Sequence, residues 1–160
     1  MIFTTCAVAG TQRLGAALSR QLGPNDVLVL LGDMGAGKSE FVRGVARGLG
    51  ITGYVTSPTF TILQVHEGGR LPLYHFDWYR LESPEELYEL SMDEYLQNGG
   101  IAAVEWPSRA EEALPETYLS VELTPLDETR RQITLTPVGG FHPLDEEALR
   151  RDAQERTECL

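Results

Sequence analysis

Residues 32 to 39 read Gly32-Asp33-Met34-Gly35-Ala36-Gly37-Lys38-Ser39, and the fixed positions Gly32, Gly37, Lys38 and Ser39 fit the pattern G-x-x-x-x-G-K-[ST]. The chemistry this spacing can do is to hold a polyphosphate. Glycines let a loop fold its N–H groups inward around an anion, because a Cβ would block both positive φ and close backbone approach. A helix that starts directly after the loop adds its own unpaired N–H groups and the positive end of its dipole. Lys38 can then reach the β and γ phosphates, and the Ser39 hydroxyl can ligate Mg²⁺. A glycine-rich turn that merely opens an ordinary helix is the plain alternative.

The flanking residues favour the first reading. Val27-Leu28-Val29-Leu30-Leu31 is a short, apolar, β-branched-rich run of the kind a strand buried on both faces requires. Downstream, Phe41, Val45 and Leu49 recur every four residues, which puts them on one face of a helix. Two further runs each end on an acid. One is Leu71 to Tyr79, carrying Asp77; the other is Ile101-Ala102-Ala103-Val104, running straight into Glu105-Trp106-Pro107. Strand-end carboxylates beside a phosphate loop can hold Mg²⁺ through water or orient an attacking water, and spacing alone does not say which of Asp77 and Glu105 does which. Otherwise they are ordinary strand-end acids. Ser57-Pro58-Thr59 stands where a segment sensing the γ phosphate could lie, with Ser57 and Thr59 as donors, or it is a plain turn.

These residues need a frame, and the remaining sequence predicts one. A chain of 160 residues makes one domain with a sizeable core. We expect a single α/β domain over residues 1–140, a P-loop NTPase-like three-layer sandwich. Its mostly parallel sheet is extended by antiparallel hairpins at 60–79 and 118–136. Residues 141–160 are expected to form a helical or mobile extension. A strand is expected within residues 1–8. Thr11 should cap a helix running through Leu14 and Leu18 to Gly23-Pro24. Ser83-Pro84-Glu85-Glu86 reads as a capping box opening a helix to about Ser91, and 92–96 and 108–114 as further short helical pieces.

Composition narrows the function. The formal charge of −11 disfavours a broadly basic surface that grips nucleic acid through its phosphates. No apolar run approaches the roughly 20 residues needed to cross a bilayer, and the N-terminus lacks a basic n-region, so a cytoplasmic protein with no membrane partner is expected. The two cysteines, Cys6 and Cys159, are read as free thiols. His66 and His142 have no neighbouring metal-type ligands, and His75 reads as a packed, hydrogen-bonded histidine. Arg130 and Arg131 read as solvent-facing strand residues. A phosphate cradle, a serine for Mg²⁺ and two strand-end acids together fit a site that hydrolyses ATP or GTP. Guanine recognition of the N-K-x-D kind is missing, as is an Arg-rich lid of the sort a small-molecule kinase uses.

Taken together, Thr11-x-x-Leu14-Gly15, the loop at 32–39, Phe41-x-Arg43-Gly44, Ser57-Pro58-Thr59-Phe60, His75-x-Asp77-x-Tyr79-Arg80-Leu81 and Glu105-Trp106-Pro107 resemble the TsaE (YjeE) ATPases of tRNA threonylcarbamoyladenosine (t6A) biosynthesis, in family order from about residue 10 to 124. Ser39 stands where that family more often has Thr, a small chemical change. The resemblance implies ATP and Mg²⁺ as cofactors. It implies nucleotide binding by Gly35, Ala36, Gly37, Lys38, Ser39 and Glu40, with Thr11, Thr59 and Trp106 beside them. Ser39 and Asp77 would serve the metal, with Glu105 near it and activating water; Lys38 and Glu105 would carry the catalysis. It also implies a partner, the TsaB–TsaD heterodimer that modifies adenosine 37 of tRNAs reading codons that begin with A, so that tRNA is met only indirectly. Hydrolysis should be weak in isolation, since no arginine finger is assigned; Arg43 and Arg80 are the candidates. Two other classes compete: a small-molecule phosphotransferase, and a nucleotide-dependent binding module with negligible hydrolysis.

Overall fold

The computed structural model describes residues 1–53, 55 and 61–153. Strand β1 (Ile2–Thr5) leads to α1 (Val8–Ser19), β2 (Val27–Leu31) and α2 (Lys38–Gly48). The chain continues through β3 (Leu63–His66), β4 (Leu73–Asp77), α3 (Glu85–Glu89), α4 (Met92–Leu96) and β5 (Ile101–Glu105). It closes with β6 (Tyr118–Pro125), β7 (Arg131–Val138) and α5 (Glu146–Ala153). All seven strands join one sheet in the order β1-β7-β6-β2-β5-β4-β3. Its centre, β6-β2-β5-β4, is parallel. The β3–β4 and β6–β7 hairpins and the edge strand β1 add antiparallel pairs on either side. This is the α/β sandwich that the sequence predicts.

The two-residue period of a strand sorts the apolar runs onto two faces. From β2, Leu28 and Leu30 enter a core with Leu14 and Leu18 of α1, Phe41 and Val45 of α2 and Leu149 of α5. Val27 and Val29 enter a second core, with Phe76, Trp78, Leu87 and Met92, under the short helices α3 and α4. Each fully buried Leu contributes about 1.5–3 kcal/mol over an exposed one, so a run apolar on both faces is what a central strand needs. On β4 and β5 the same alternation puts His75, Asp77 and Glu105 on the side of the sheet that carries α2.

Four expectations are corrected. Helix α1 begins at Val8, before Thr11, whose hydroxyl bonds the Thr5 hydroxyl at 2.9 Å instead of capping. Helix α3 has no side-chain cap from Ser83 and ends at Glu89, because Ser91 takes a left-handed φ of 55° and splits it from α4. In place of a helix over 108–114 there are two 3-10 turns, Pro107–Arg109 and Glu111–Ala113, the tighter form that short pieces with few interior bonds adopt. Cys6 is disulfide-bonded, not a free thiol; α5 folds back across α1, so that Ala153 and Cys6 line one hollow. Helix α5 also ties itself to the body through Arg150, which donates to the Ile2 carbonyl at 2.9 Å. Among the described residues no helix is long and apolar enough to cross a membrane.

Candidate functional site

The loop between β2 and α2 turns on glycines. Gly35 and Gly37 have φ of 82° and 104°, values open to few residues with a Cβ, and Gly37 stands directly before the first residue of α2. Lys38 is therefore the head of the helix, with unpaired N–H groups around it. A cavity of about 360 Å³ opens there, lined by Gly35, Gly37, Lys38, Ser39 and Glu40 from the loop and α2, by Asp77 and Tyr79 from the end of β4, and by Glu105 and Trp106 from the end of β5.

Lys38 is almost wholly buried, at 6% exposure. Its ammonium donates to the Gly32 carbonyl at 2.6 Å and lies 3.8 Å from the centre of the Trp106 ring. Burial pushes its pKa below the ordinary lysine value, against the carboxylates of Glu105, Asp77 and Asp33, which favour the charged form. Asp77 and Glu105 stand opposite each other in the β4–β5 register, each 3% exposed. Tyr79 donates its backbone N–H to Asp77 Oδ1 at 2.9 Å, and Glu105 Oε2 lies 2.6 Å from His75 Nε2. Trp106 holds a left-handed backbone, φ 57° and ψ 54°, at a cost of about 1–3 kcal/mol for a bulky residue. That twist, made where the strand meets Pro107, places its ring on the Lys38 ammonium and 5.0 Å from the ring of Tyr79. Serine and carboxylate oxygens beside a loop turned on Gly35 and Gly37 fit Mg²⁺ with a polyphosphate, since hard cations take oxygen donors.

Lys38, Ser39, Glu40, Asp77, Glu105, Trp106, Gly35 and Gly37 are thus brought together at one cavity. Glu40 lines it while its carboxylate accepts from Gln12 at 2.6 Å and pairs with Arg43. Ala36 is buried behind the loop; its N–H donates to the Asp33 carbonyl at 3.0 Å. Thr11 sits within α1, 2% exposed, and is not among the residues lining the cavity. Thr59 and the Ser57-Pro58-Thr59 segment lie outside the described residues. Of the arginine candidates, Arg43 pairs with Glu40 and donates to the Val55 carbonyl at 2.8 Å, and Arg80 is exposed.

Two features escaped the sequence reading. Arg131, which the sequence predicts to face solvent, donates from Nε to the Ala36 carbonyl at 3.0 Å and from Nη1 to the Asp127 and Arg130 carbonyls at 2.9 Å, bracing the β2–α2 loop from the β6–β7 hairpin. No local signal could show this, because the two segments are far apart in sequence and meet only through the β2–β6 pairing. The other concerns Gly15 and Gly44. Added Cβ atoms there would run into the Phe41 and Gln12 carbonyls respectively, so both glycines in the motifs Leu14-Gly15 and Arg43-Gly44 serve the close crossing of α1 and α2.

Comparison with known proteins agrees with this geometry. The family model described as "Threonylcarbamoyl adenosine biosynthesis protein TsaE" matches residues 6–133. The tRNA threonylcarbamoyladenosine biosynthesis protein TsaE of Bacillus subtilis is 45% identical over 141 residues, covering 88% of this chain and 86% of its own. Its Nostoc counterpart is 44% identical over 131 residues, covering 79% and 80%. The crystal structure of Bacillus subtilis YdiB superposes with a TM-score of 0.77 at 36% identity, covering 96% of this chain and 93% of that one. Matched by the family model over residues 6–133 and by a relative 45% identical over 88% of its length, the chain belongs to the TsaE family.

Proposed function

We propose that this chain is a Mg²⁺-dependent ATPase subunit required for t6A modification of adenosine 37 in tRNAs that read ANN codons, acting through ATP binding and hydrolysis on the TsaB–TsaD complex. The observation that carries the reading is the convergence of Lys38, Ser39, Asp77 and Glu105 on one cavity at the head of α2, in a chain of this family. Lys38 and the loop N–H groups hold the phosphates. Ser39 and Asp77 hold Mg²⁺, which when bound neutralises charge on the phosphates. Glu105 accepts a proton from the attacking water or orients it, and Trp106 shields the reacting groups from bulk solvent.

Phosphoryl transfer needs positioning and charge neutralisation more than covalent chemistry, and this cavity supplies both. Among the described residues no arginine lines the cavity, in keeping with turnover that is slow alone and rises on the partner complex. The transferred threonylcarbamoyl group is handled elsewhere; hydrolysis here resets the complex between turnovers. A net charge of −11 suits a subunit that meets tRNA only through its partners.

The test is Mg²⁺-dependent ATP hydrolysis by the wild type, Lys38→Ala and Glu105→Ala, each alone and with TsaB, TsaD and tRNA. Weak activity that rises with the partners and collapses in both variants supports the reading. Turnover that ignores the partners refutes the assigned complex, and a screen of nucleosides and sugars as phosphate acceptors then tests the phosphotransferase alternative. A Glu105→Ala variant that still supports t6A formation refutes the need for hydrolysis.

A further inference from the structure

His75 lies in the middle of β4, 1% exposed, on a strand whose five residues are all buried. Burying an imidazole costs free energy unless its nitrogens are bonded, and here only one is. Nε2 lies 2.6 Å from Glu105 Oε2, whereas Nδ1 has no partner among the described residues. A proton on Nε2 satisfies this arrangement, since Nε2–H then donates to the carboxylate. Proton placement on a histidine follows from its bonding partners in this way. An apolar side chain at this position would pack without the orphaned nitrogen. The histidine therefore costs stability at a spot where its bond goes to a carboxylate that lines the cavity beside Lys38.

We propose that His75 is a positioning residue for hydrolysis, one that fixes the Glu105 carboxylate and leaves it a single oxygen for the cavity. Glu105 lines that cavity, and with Oε2 engaged by His75 it meets the attacking water through Oε1 alone. Anchoring one oxygen selects one rotamer and one lone-pair direction, which is how a hydrogen-bonded neighbour tunes a group that does chemistry. This rests on the reading of the chain as an ATPase with Glu105 at the attacking water.

The experiment compares His75→Gln with His75→Met in the full chain. Both side chains match in length, and only Gln can donate from the position of Nε2. Each variant is assayed for ATP turnover with TsaB, TsaD and tRNA, and for binding of a non-hydrolysable ATP analogue, alone and combined with Glu105→Gln. The expected result is a turnover number down about ten- to hundredfold in His75→Met, with KM and analogue affinity within about twofold, and turnover largely restored in His75→Gln. In the Glu105→Gln background, His75→Met should add no further loss. Wild-type turnover in His75→Met overturns the proposal, as does a loss that persists undiminished in the Glu105→Gln background. If His75→Met fails to fold, His75→Gln decides: turnover as low as that of Glu105→Gln overturns the proposal, and near wild-type turnover upholds it. Failure of the ATPase reading looks different, because Glu105→Gln itself would then turn over ATP like the wild type.

Discussion

Gly44→Ala tests the close crossing of α1 and α2, because two physical effects there have opposite signs. Gly44 lies inside α2, where replacing Gly by Ala in an exposed helix stabilises by about 1 kcal/mol. Here the new Cβ would sit 2.7 Å from both the backbone C and the Cα of Gln12, and closer still to its carbonyl oxygen, where ordinary contact begins at 3.4 Å. The neighbour is main chain and cannot swing away, so the two helices must separate by roughly 0.7 Å or more at that point. Overpacking of this kind costs about 1–3 kcal/mol, at the upper end when backbone has to move. Net destabilisation of about 1–2 kcal/mol follows, a fall in Tm of about 2–8 °C for a chain of this size. Since Lys38 heads the same helix, the shift should also weaken ATP binding. Thermal and urea unfolding of wild type and Gly44→Ala, with ATP-analogue titrations beside them, give both numbers. An unchanged or raised Tm would refute the reasoning, since propensity would then outweigh the crossing. Gly15→Ala invades the same crossing, its Cβ 3.0 Å from the Val45 nitrogen, so the double variant should lose less than the two singles together.

Phosphate at Lys38 competes with the Trp106 ring for the ammonium, a contact worth about 0.5–2 kcal/mol, so Mg-ATP should change tryptophan emission. The change should vanish in Trp106→Phe, while fully buried Trp78 stays silent; a signal that survives in Trp106→Phe sinks the assignment. Arg131→Gln removes the brace on the Ala36 carbonyl and should raise the Kd for ATP about fivefold, roughly 1 kcal/mol, with little loss of stability; an unaltered Kd shows that the loop holds its shape unaided. His142 Nε2 lies 2.6 Å from Asp26 Oδ2, and this bond raises the imidazole pKa above its ordinary value, against partial burial. The proton therefore favours the fold: the stabilisation is fully present below about pH 6.5 and is lost as pH rises through the raised folded value. Because the imidazole is 40% exposed, the effect is about 0.2–1 kcal/mol. Urea midpoints at pH 5.5 and 8.5 should converge in His142→Gln, and an equal pH dependence in both proteins rules the pair out as its source.

Much of the site could be read from local patterns. The glycine-rich loop, its preceding strand and its following helix are contiguous, and each is specified by residues within a few positions: buried β-branched runs, glycines at positive φ, an amphipathic period. Glu105 was legible as a strand end because four apolar residues run into it, and Asp77 because it closes the second arm of a hairpin; that both carboxylates stay buried, each 3% exposed, was not. Thr11 and Ser83 misled for a related reason. A hydroxyl before a helical stretch can cap, but Thr11 found a buried partner in Thr5 and Ser83 precedes a helix of five residues that packs by Leu87.

Local pattern alone was enough for the glycine-rich loop between β2 and α2, the strands that carry the acids and the α/β class, all properties of short contiguous stretches governed by backbone conformation and hydrophobic period. Only the tertiary structure decided which side chains meet. His75 on Glu105, Trp106 over Lys38, Arg131 on the Ala36 carbonyl and the α1–α2 crossing at Gly15 and Gly44 each join residues from different elements. Those pairings are fixed by sheet order and helix packing, which depend on the summed burial of the whole core and leave no trace in any local pattern.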